Sequence, residues 1–257
     1  MTGSEGERLA YLRALGIDVW VLRGEEAADE AAAPQDAGAE EPASREPAAA
    51  GGSVRVIPAP ADAGPAADPS ADGWEALRVR VSGCTRCALH EGRTQTVFGV
   101  GNPEADLMII GEAPGAEEDR RGEPFVGRAG KLLDEMLRSL GLGRDDVFIA
   151  NILKCRPPGN RDPRPEESAE CRPYLRRQIA LVRPRVILAV GRIAAQDLLE
   201  SDEPIGRLRT RAHSFPEADI PVVVTYHPAY LLRSPSQKRK AWQDLCRARQ
   251  LLAGEGA

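Results

Sequence analysis

The sequence predicts an α/β fold, a three-layer α/β/α sandwich built on a central four-stranded parallel sheet. Short apolar runs bounded by turn residues predict strands at 106–110, 147–151, 186–190 and 222–226. Longer segments with helical spacing predict helices at 130–140, 165–182, 193–199 and 237–253. Strands that are apolar throughout and alternate with helices are typical of a parallel sheet covered on both faces.

Composition divides the chain into three parts. Residues 24–73 are mostly Ala, Pro, Gly, Glu and Asp, so they bury too little apolar surface to offset the entropy of ordering. We therefore predict a short N-terminal segment at 1–23, a disordered linker at 24–73 and a folded domain at 74–257. The sequence has no run of about 18 apolar residues and no signal-peptide pattern, so we expect a cytoplasmic protein without a membrane span.

Charge is unevenly distributed along the chain. Residues 1–73 hold 5 Arg and 14 Asp or Glu, whereas the remainder holds 29 basic and 25 acidic residues. The predicted domain is therefore mildly basic, as a protein that binds nucleic acid would be, although this balance is also common in other proteins.

Residues 108–133 are the stretch around which the domain is organised. An apolar strand there leads into a turn rich in glycine, proline and acid, and then into a helix. A strand that stops at Gly111 places the next residues at the carboxyl edge of the sheet, where open α/β folds bind ligands. Backbone amides from Gly111 to Gly115 would then face a bound group. An ordinary strand-to-helix loop is the alternative.

Polar residues follow two other predicted strands. Asn151 ends the second strand, and His227 follows the fourth. Each could serve only its own loop, as a turn cap or as a partner for a carbonyl. Because the carboxyl ends of parallel strands share one edge, the two side chains and the turn at Gly111 predict one pocket with an amide, an imidazole and backbone N–H groups.

Four of the cysteines have a spacing that indicates a bound metal. Cys84 and Cys87 form a C-x-x-C pair, while Cys155 and Cys171 flank a proline-rich loop. Two disulfides, one zinc ion or one iron–sulfur cluster would each use four thiols. A cytoplasmic chain disfavours disulfides, and the wide spacing of the second pair favours a cluster over zinc. Cys246 is predicted to be a buried structural thiol.

Three motifs, together with these cysteines, resemble the family 4 uracil-DNA glycosylases: GEAPGAEEDRRGEPFVGRAG, NILKCRPPGNRDP and HPAYLLR. The resemblance covers residue 74 to about residue 252. It implies the uracil-DNA glycosylase fold and a 4Fe-4S cluster held by Cys84, Cys87, Cys155 and Cys171. It also implies an enzyme that hydrolyses the N-glycosidic bond of uracil in single- or double-stranded DNA, leaves an abasic site and initiates base excision repair.

The resemblance implies roles for residues of the pocket, which a nucleotide can enter only by leaving the base stack. Phe125 would stack on the uracil, unless it is simply a core residue, and Asn151 would hydrogen-bond the O4 and N3 edge. His227 and backbone amides of the first motif would stabilise negative charge at uracil O2 as the bond breaks. Glu118 would crowd the C5 edge and exclude thymine, unless it is a solvated charge.

Water activation is expected to differ from that in better-known uracil glycosylases. Ala113 stands where those enzymes have a water-activating Asp, and family 4 members typically have Gly or Ala there. Stabilisation of the leaving uracil would then supply most of the catalysis. We expect Glu112 and Asn160 to position the water, and Gly111, Glu112 and Ala113 to contact the uracil.

The segment after His227 is predicted to bind DNA. Tyr230, Leu231 and Leu232 lie on a predicted loop between prolines, from which apolar side chains would either wedge into the gap left by the flipped base or pack beneath the loop. Arg233 would meet a phosphate. Further cations expected to meet phosphates are Arg156, Arg161, Lys238, Arg239 and Lys240.

Residues 7–23 form a short apolar island ahead of the linker. The stretch LGIDVWVLR resembles the segment of the psi subunit of the bacterial replicative clamp loader that docks on the chi subunit. This resemblance implies a replisome partner, and the alternative is that the island packs on its own domain. We otherwise expect a monomer.

Two other functions fit parts of the sequence. A uracil-DNA binding relative that traps the abasic sugar covalently has a basic, His-bearing loop, but the corresponding loop here, PPGNRDPRPEE, contains no His. A non-catalytic iron–sulfur or zinc module of the replication machinery would keep the cysteines. It would not need Asn151, Phe125 and His227 together.

Overall fold

The computed structural model of the protein describes residues 69–254. The predicted N-terminal segment and the predicted linker up to residue 68 lie outside the described residues. The end of the linker prediction is wrong, because residues 69–73 belong to the fold. Pro69–Ala71 forms a 3₁₀ turn, the Asp72 carboxylate accepts two hydrogen bonds from Arg80 at 2.5 and 3.0 Å, and the Asp72 carbonyl accepts one from Arg177 at 2.6 Å.

The predicted parallel sheet is confirmed, and antiparallel edge strands extend it to six strands. In chain order the strands are β1 (Val100–Gly101), β2 (Leu107–Gly111), β3 (Val147–Asn151), β4 (Val186–Val190), β5 (His213–Phe215) and β6 (Ile220–Thr225). Their order across the sheet is β1-β3-β2-β4-β6-β5, in which the four central strands are parallel and both edge pairs are antiparallel. Two of the four predicted strands have the observed bounds, and the other two agree within two residues.

Helices cover both faces of the sheet. They are α1 (Trp74–Ser82), α2 (Leu89–Gly92), α3 (Ala116–Arg121), α4 (Arg128–Arg138), α5 (Pro165–Val182), α6 (Arg192–Leu199), α7 (Ile205–Leu208), α8 (Pro228–Arg233) and α9 (Lys238–Ala253). Further 3₁₀ turns lie at Arg144–Asp146, Pro158–Asn160 and Pro235–Gln237. The predicted helices correspond to α4, α5, α6 and α9, and α5 has the predicted bounds.

The core has two halves because successive side chains of a strand point to opposite faces. Met108 and Ile110 of β2 pack into one half with α1, α5 and α6, whereas Leu107 and Ile109 pack into the other with α4, α8 and α9. This arrangement is the predicted three-layer sandwich. Within residues 69–254, no helix combines the length and the apolar character needed to cross a membrane.

Candidate active site

The carboxyl ends of the parallel strands meet at one cleft. Gly111 at the end of β2 is aligned with Asn151 at the end of β3, and His227 follows β6 by two residues. A cavity of about 470 Å³ opens at this edge. It is lined by Glu112, Ala113, Gly115, Glu118, Phe125, Ala129, Asn151, Asn160, His227, Ala229, Tyr230 and Arg233. The structure thus brings most of the predicted site residues together, and it adds small residues that carry no chemical signal in a sequence.

Asn151 presents an unused polar atom at this cleft. Its side chain is almost fully buried, and its Oδ1 atom has no hydrogen-bond partner within residues 69–254. A buried polar atom without a partner costs about 1–3 kcal/mol, so the amide is suited to a polar ligand. A Cβ atom at Gly111 would come within 2.5 Å of both Asn151 Oδ1 and Phe125 Cζ. Gly111 therefore makes room for these two side chains. Contrary to our expectation that it contacts the uracil, Gly111 is not among the residues that line the cavity.

Phe125 belongs to both the core and the cleft. It is 6% exposed and packs in the same half of the core as α4 and α9, while it also lines the cavity. Its ring centroid lies 5.7 Å from that of His227, with the two planes 30° apart. The two alternatives for Phe125, a core residue and a platform in the pocket, are therefore compatible.

His227 is held in one tautomer at the start of α8. The backbone N–H of Ala229 donates to its Nδ1 atom at 3.1 Å. Burial, assisted by the positive charge of Arg233 and opposed by Glu118, lowers the pKa of His227 to about 4. The ring is therefore neutral near pH 7, and its single proton is on Nε2, because Nδ1 is the acceptor. His227 can donate one hydrogen bond through Nε2.

Glu112 and Asn160 line the cleft from two different loops. Burial, with a contribution from the charge of Asp162, raises the pKa of Glu112 to about 7. Asn160 has a left-handed backbone (φ 55°), and its Oδ1 atom accepts a hydrogen bond from Arg156 Nε at 2.7 Å. Glu112 is thus a carboxyl group that loses its proton at a much higher pH than an exposed glutamate does.

Glu118 is not a solvated charge, which was the alternative for this residue. Its Oε1 atom accepts hydrogen bonds from the amides of Val126 and Gly127 at 3.0 and 3.1 Å, and its Oε2 atom accepts one from the amide of Gly115 at 3.2 Å. Contrary to our expectation, the Gly115 amide therefore binds Glu118 and does not face a ligand. Glu118 ties the first turn of α3 to the loop that carries Phe125.

The predicted loop at Tyr230, Leu231 and Leu232 is wrong, because these residues lie in helix α8. Pro228 occupies the first helical position, where a missing N–H is harmless. Leu231 is 1% exposed and packs in the core, so it cannot insert into DNA. Tyr230 and Leu232 are 37% and 38% exposed, and Tyr230 also lines the cleft.

The predicted phosphate-binding cations differ in their surroundings. Arg161 forms two hydrogen bonds with Glu167 at 2.8 and 2.5 Å, so it is engaged within the protein. Arg156 donates to Asn160. Arg233 is exposed at the rim of the cleft, and the cations Lys238, Arg239 and Lys240 are exposed at the start of α9.

The four predicted metal-binding cysteines line a second, smaller cavity. Cys84 and Cys87 lie between α1 and α2, Cys155 follows β3, and Cys171 lies in α5. Arg93 donates to Cys155 Sγ at 3.0 Å. Burial raises the pKa of Cys171 to about 12, and it also raises the pKa values of Cys87 and Cys155.

Lys154, which the sequence analysis missed, is a buried residue beside the four cysteines, and its surroundings indicate which kind of group fits this cavity. Its side chain is 1% exposed, lines the cysteine cavity, and donates to the Asn151 carbonyl at 2.7 Å and to Gln178 Oε1 at 2.6 Å. Burial lowers its pKa to about 7. No carboxylate pairs with it within residues 69–254. Burial disfavours the charged form of this amine, and a metal centre held by four thiolates would supply a nearby negative charge that stabilises it, so the surroundings fit such a group.

Within residues 69–254, no three His, Cys, Asp or Glu side chains are grouped closely enough to hold a single metal ion. Ala113 packs against the apolar surroundings of these cysteines and also lines the cleft. The cysteine cavity and the cleft are therefore neighbours.

Comparison with known proteins agrees with this geometry. Residues 98–246 match the sequence profile of the Uracil DNA glycosylase superfamily. The chain is similar to a type-4 uracil-DNA glycosylase of Archaeoglobus fulgidus, with 45% identity over 170 residues, which are 64% of this chain and 85% of the relative. It is also 42% identical to proteins of the same name from Sulfurisphaera tokodaii and Thermotoga maritima, over 70% and 71% of this chain and 85% and 96% of those relatives.

Proposed function

The chain belongs to the type-4 uracil-DNA glycosylases, and we therefore propose that the cleft at the strand ends is the site where it acts on uracil. The enzyme hydrolyses the N-glycosidic bond of uracil in DNA and initiates base excision repair. One observation carries the assignment of the site: the unpartnered Oδ1 atom of Asn151 lies in the same cleft as the Phe125 ring and the Nε2–H group of His227.

Recognition begins when the nucleotide leaves the stack and enters the cleft. The Phe125 ring stacks on the flat face of the base. Asn151 pairs with the edge, so that its Oδ1 atom accepts from uracil N3–H and its Nδ2 group donates to O4. Cytosine presents an acceptor at N3 and a donor at C4, so the same amide would meet it with both partners mismatched.

Catalysis rests on stabilising the departing base. As the glycosidic bond breaks, electrons move onto uracil and negative charge builds at O2. His227 donates its Nε2–H to this oxygen, and because the neutral ring is fixed by the Ala229 amide, little reorganisation is needed. A neutral donor interacts only weakly with the uncharged base, so the stabilisation acts mainly on the transition state.

Water attacks the sugar after the bond has weakened. Ala113 has no side chain that could bind this water, so we assign the task to Glu112, with Asn160 as a second contact. A carboxylate accepts a hydrogen bond from water and orients its lone pair toward the sugar carbon. Glu118 is engaged with three backbone amides, so its part is to shape the pocket near the uracil C5 position rather than to move protons.

DNA contacts outside the pocket are assigned to the exposed face of α8. Tyr230 and Leu232 replace the predicted set of three wedge residues, since Leu231 is buried. Arg233 at the rim would bind a phosphate of the flipped nucleotide or of its neighbour.

We assign a 4Fe-4S cluster to the cysteine cavity. Cys84, Cys87, Cys155 and Cys171 would supply one thiolate to each iron, with Lys154 and Arg93 as nearby cations. When bound, the cluster supplies structural cross-linking, since hydrolysis of a glycosidic bond transfers no electron. Lys154 then connects this region to the Asn151 carbonyl.

The site is tested by comparing Asn151→Ala and His227→Ala with the wild type. Single-turnover release of uracil from a uracil-containing oligonucleotide should fall roughly a hundredfold to a thousandfold for each variant. Asn102→Ala and His213→Ala are matched controls, because these residues serve a turn and the carbonyl of Leu208. An oligonucleotide with thymine should show no alkali-labile site. Wild-type rates in both cleft variants would show that the site lies elsewhere.

A further inference from the structure

Phe125 has a backbone conformation that a residue with a Cβ atom rarely adopts. Its φ angle is +54°, in the left-handed region, although it is neither glycine nor asparagine. Such a conformation persists only where the surrounding contacts determine it. These contacts come from both sides of the residue.

Arg144 binds two successive carbonyls, that of Phe125 and that of the residue before it. Its guanidinium donates to the Pro124 carbonyl at 2.7 Å and to the Phe125 carbonyl at 3.2 Å. The same group is held by Asp134 of α4 at 3.0 Å. Arg144 lies in the turn before β3 and is not among the residues that line the cleft. Its contacts with the Phe125 loop therefore act on the cleft from outside.

On the carboxyl side, Glu118 binds the next two amides, those of Val126 and Gly127. Gly130 completes the arrangement, because a Cβ atom there would lie 1.7 Å from the Phe125 carbonyl oxygen. Phe125 is therefore enclosed by a cation on its own and the preceding carbonyl, and by an anion on the two following amides.

We propose that Arg144 is a positioning residue for uracil recognition, which acts by holding Phe125 in its left-handed conformation. The inference rests on the proposed role of Phe125 as the platform for the base. The Phe125 ring fits between Gly111 and His227 in this conformation. Without the guanidinium, both carbonyls are free to bind water, the backbone relaxes to negative φ, and the ring leaves its place.

The test is a double-mutant cycle of Arg144→Ala and Phe125→Ala, with single-turnover uracil release and inhibition by free uracil as the two measurements. Loss of a base-stacking ring weakens binding by about tenfold to a hundredfold. We expect Arg144→Ala to reduce the rate and weaken uracil inhibition by about tenfold. In the Phe125→Ala background, the same change should alter either quantity by less than about twofold, because the group that it positions is already absent.

Two further variants control the experiment. Arg138→Ala removes an exposed arginine that pairs with Glu135 on α4, and it should leave both measurements unchanged. Arg144→Lys keeps the charge beside Asp134 but lacks the planar fork whose two nitrogens reach the two carbonyls, so it should show a partial loss with a wild-type melting temperature. It carries the test if Arg144→Ala does not fold.

The outcomes separate this inference from the assignment of the site. A wild-type rate in Phe125→Ala would overturn the role of the ring itself. If Phe125→Ala is impaired but the Arg144 variants behave like the wild type, the role of the ring stands and the role of Arg144 is overturned. The same conclusion follows if the losses of the two single variants multiply in the double mutant.

Discussion

Among single residues, burial shifts the pKa values of two groups of the cleft, Glu112 and His227, in opposite directions. It raises the pKa of Glu112 to about 7 and lowers that of His227 to about 4. The cause is the same in both, since desolvation disfavours the charged form, which is the carboxylate for one residue and the imidazolium for the other. Near neutral pH, His227 is a fixed neutral donor, and Glu112 is the group whose charge changes.

Uracil release should therefore increase with pH. If Glu112 orients the water as a carboxylate, the single-turnover rate rises as pH passes upward through about 7, because the group loses its proton there. Glu112→Gln should be slower at high pH and nearly independent of pH between about 6 and 8. His227 does not contribute to this range, since its pKa is about 4.

Asp162→Asn is the matched variant for this profile. The negative charge of Asp162 is one cause of the raised pKa of Glu112. Removal of this charge should therefore move the rise in rate to lower pH, while the rise itself remains. A wild-type profile that is flat across this range would exclude Glu112 as the residue that positions the water.

Among the elements, helix α8 contains two consecutive leucines with different surroundings, one buried in the core and one exposed. Leu231 is buried in the core, so Leu231→Ala should lower the free energy of unfolding by about 2–5 kcal/mol. Leu232 is 38% exposed, so Leu232→Ala should leave stability within about 0.5 kcal/mol. The same change should slow uracil release from duplex DNA more than from single strands, because the wedge fills a gap that exists only in a duplex.

Denaturant unfolding and paired kinetics on the two substrates measure these effects. Equal slowing on both substrates would mean that Leu232 does not act as a wedge. Equal loss of stability in the two variants would contradict the burial that distinguishes them.

The sequence predicted the parts of this fold that repeat along the chain, and it missed those formed by a single contact. Continuous apolar runs predicted the parallel strands, and their carboxyl ends predicted that Asn151 and His227 would meet. Edge strands β1 and β5 are two and three residues long, too short to show a period. The sequence of helix α8 has a readable signal, a proline at the first helical position, but the prolines on either side of Tyr230, Leu231 and Leu232 are equally typical of a loop.

Lys154 and Arg144 were missed for a different reason. Besides one side-chain partner each, both donate to backbone carbonyls of the site, at Asn151 in one case and at Pro124 and Phe125 in the other. Every residue has a carbonyl, so such a contact leaves no complementary residue type in the sequence. Only the tertiary structure shows which charged residues hold the site together.

For the molecule as a whole, the cysteine cavity should determine iron content and stability. We expect purified protein to be brown, with about four irons per chain. Cys171→Ala should reduce the iron and lower the melting temperature, since its thiol is buried among the other ligands. Cys246→Ala is the matched control, because this residue lies on α9 and is not among the residues that line the cavity. Colourless protein with one zinc per chain would contradict the cluster.

The N-terminal segment at 7–23 should act independently of the catalytic domain, and we propose that it is a tethered docking peptide. The composition of the linker predicts an open chain, which gives the segment a long reach, and a segment that orders on binding can attach a repair enzyme to a replication partner. The truncation that tests this removes residues 1–68 and keeps Asp72, whose contacts with Arg80 and Arg177 belong to the fold. Uracil release from short oligonucleotides should stay within about twofold of the full chain. Binding to purified chi subunit should be lost, and Trp20→Ala in the full chain should reproduce that loss. An unstable or inactive truncation would instead show that the segment packs on its own domain.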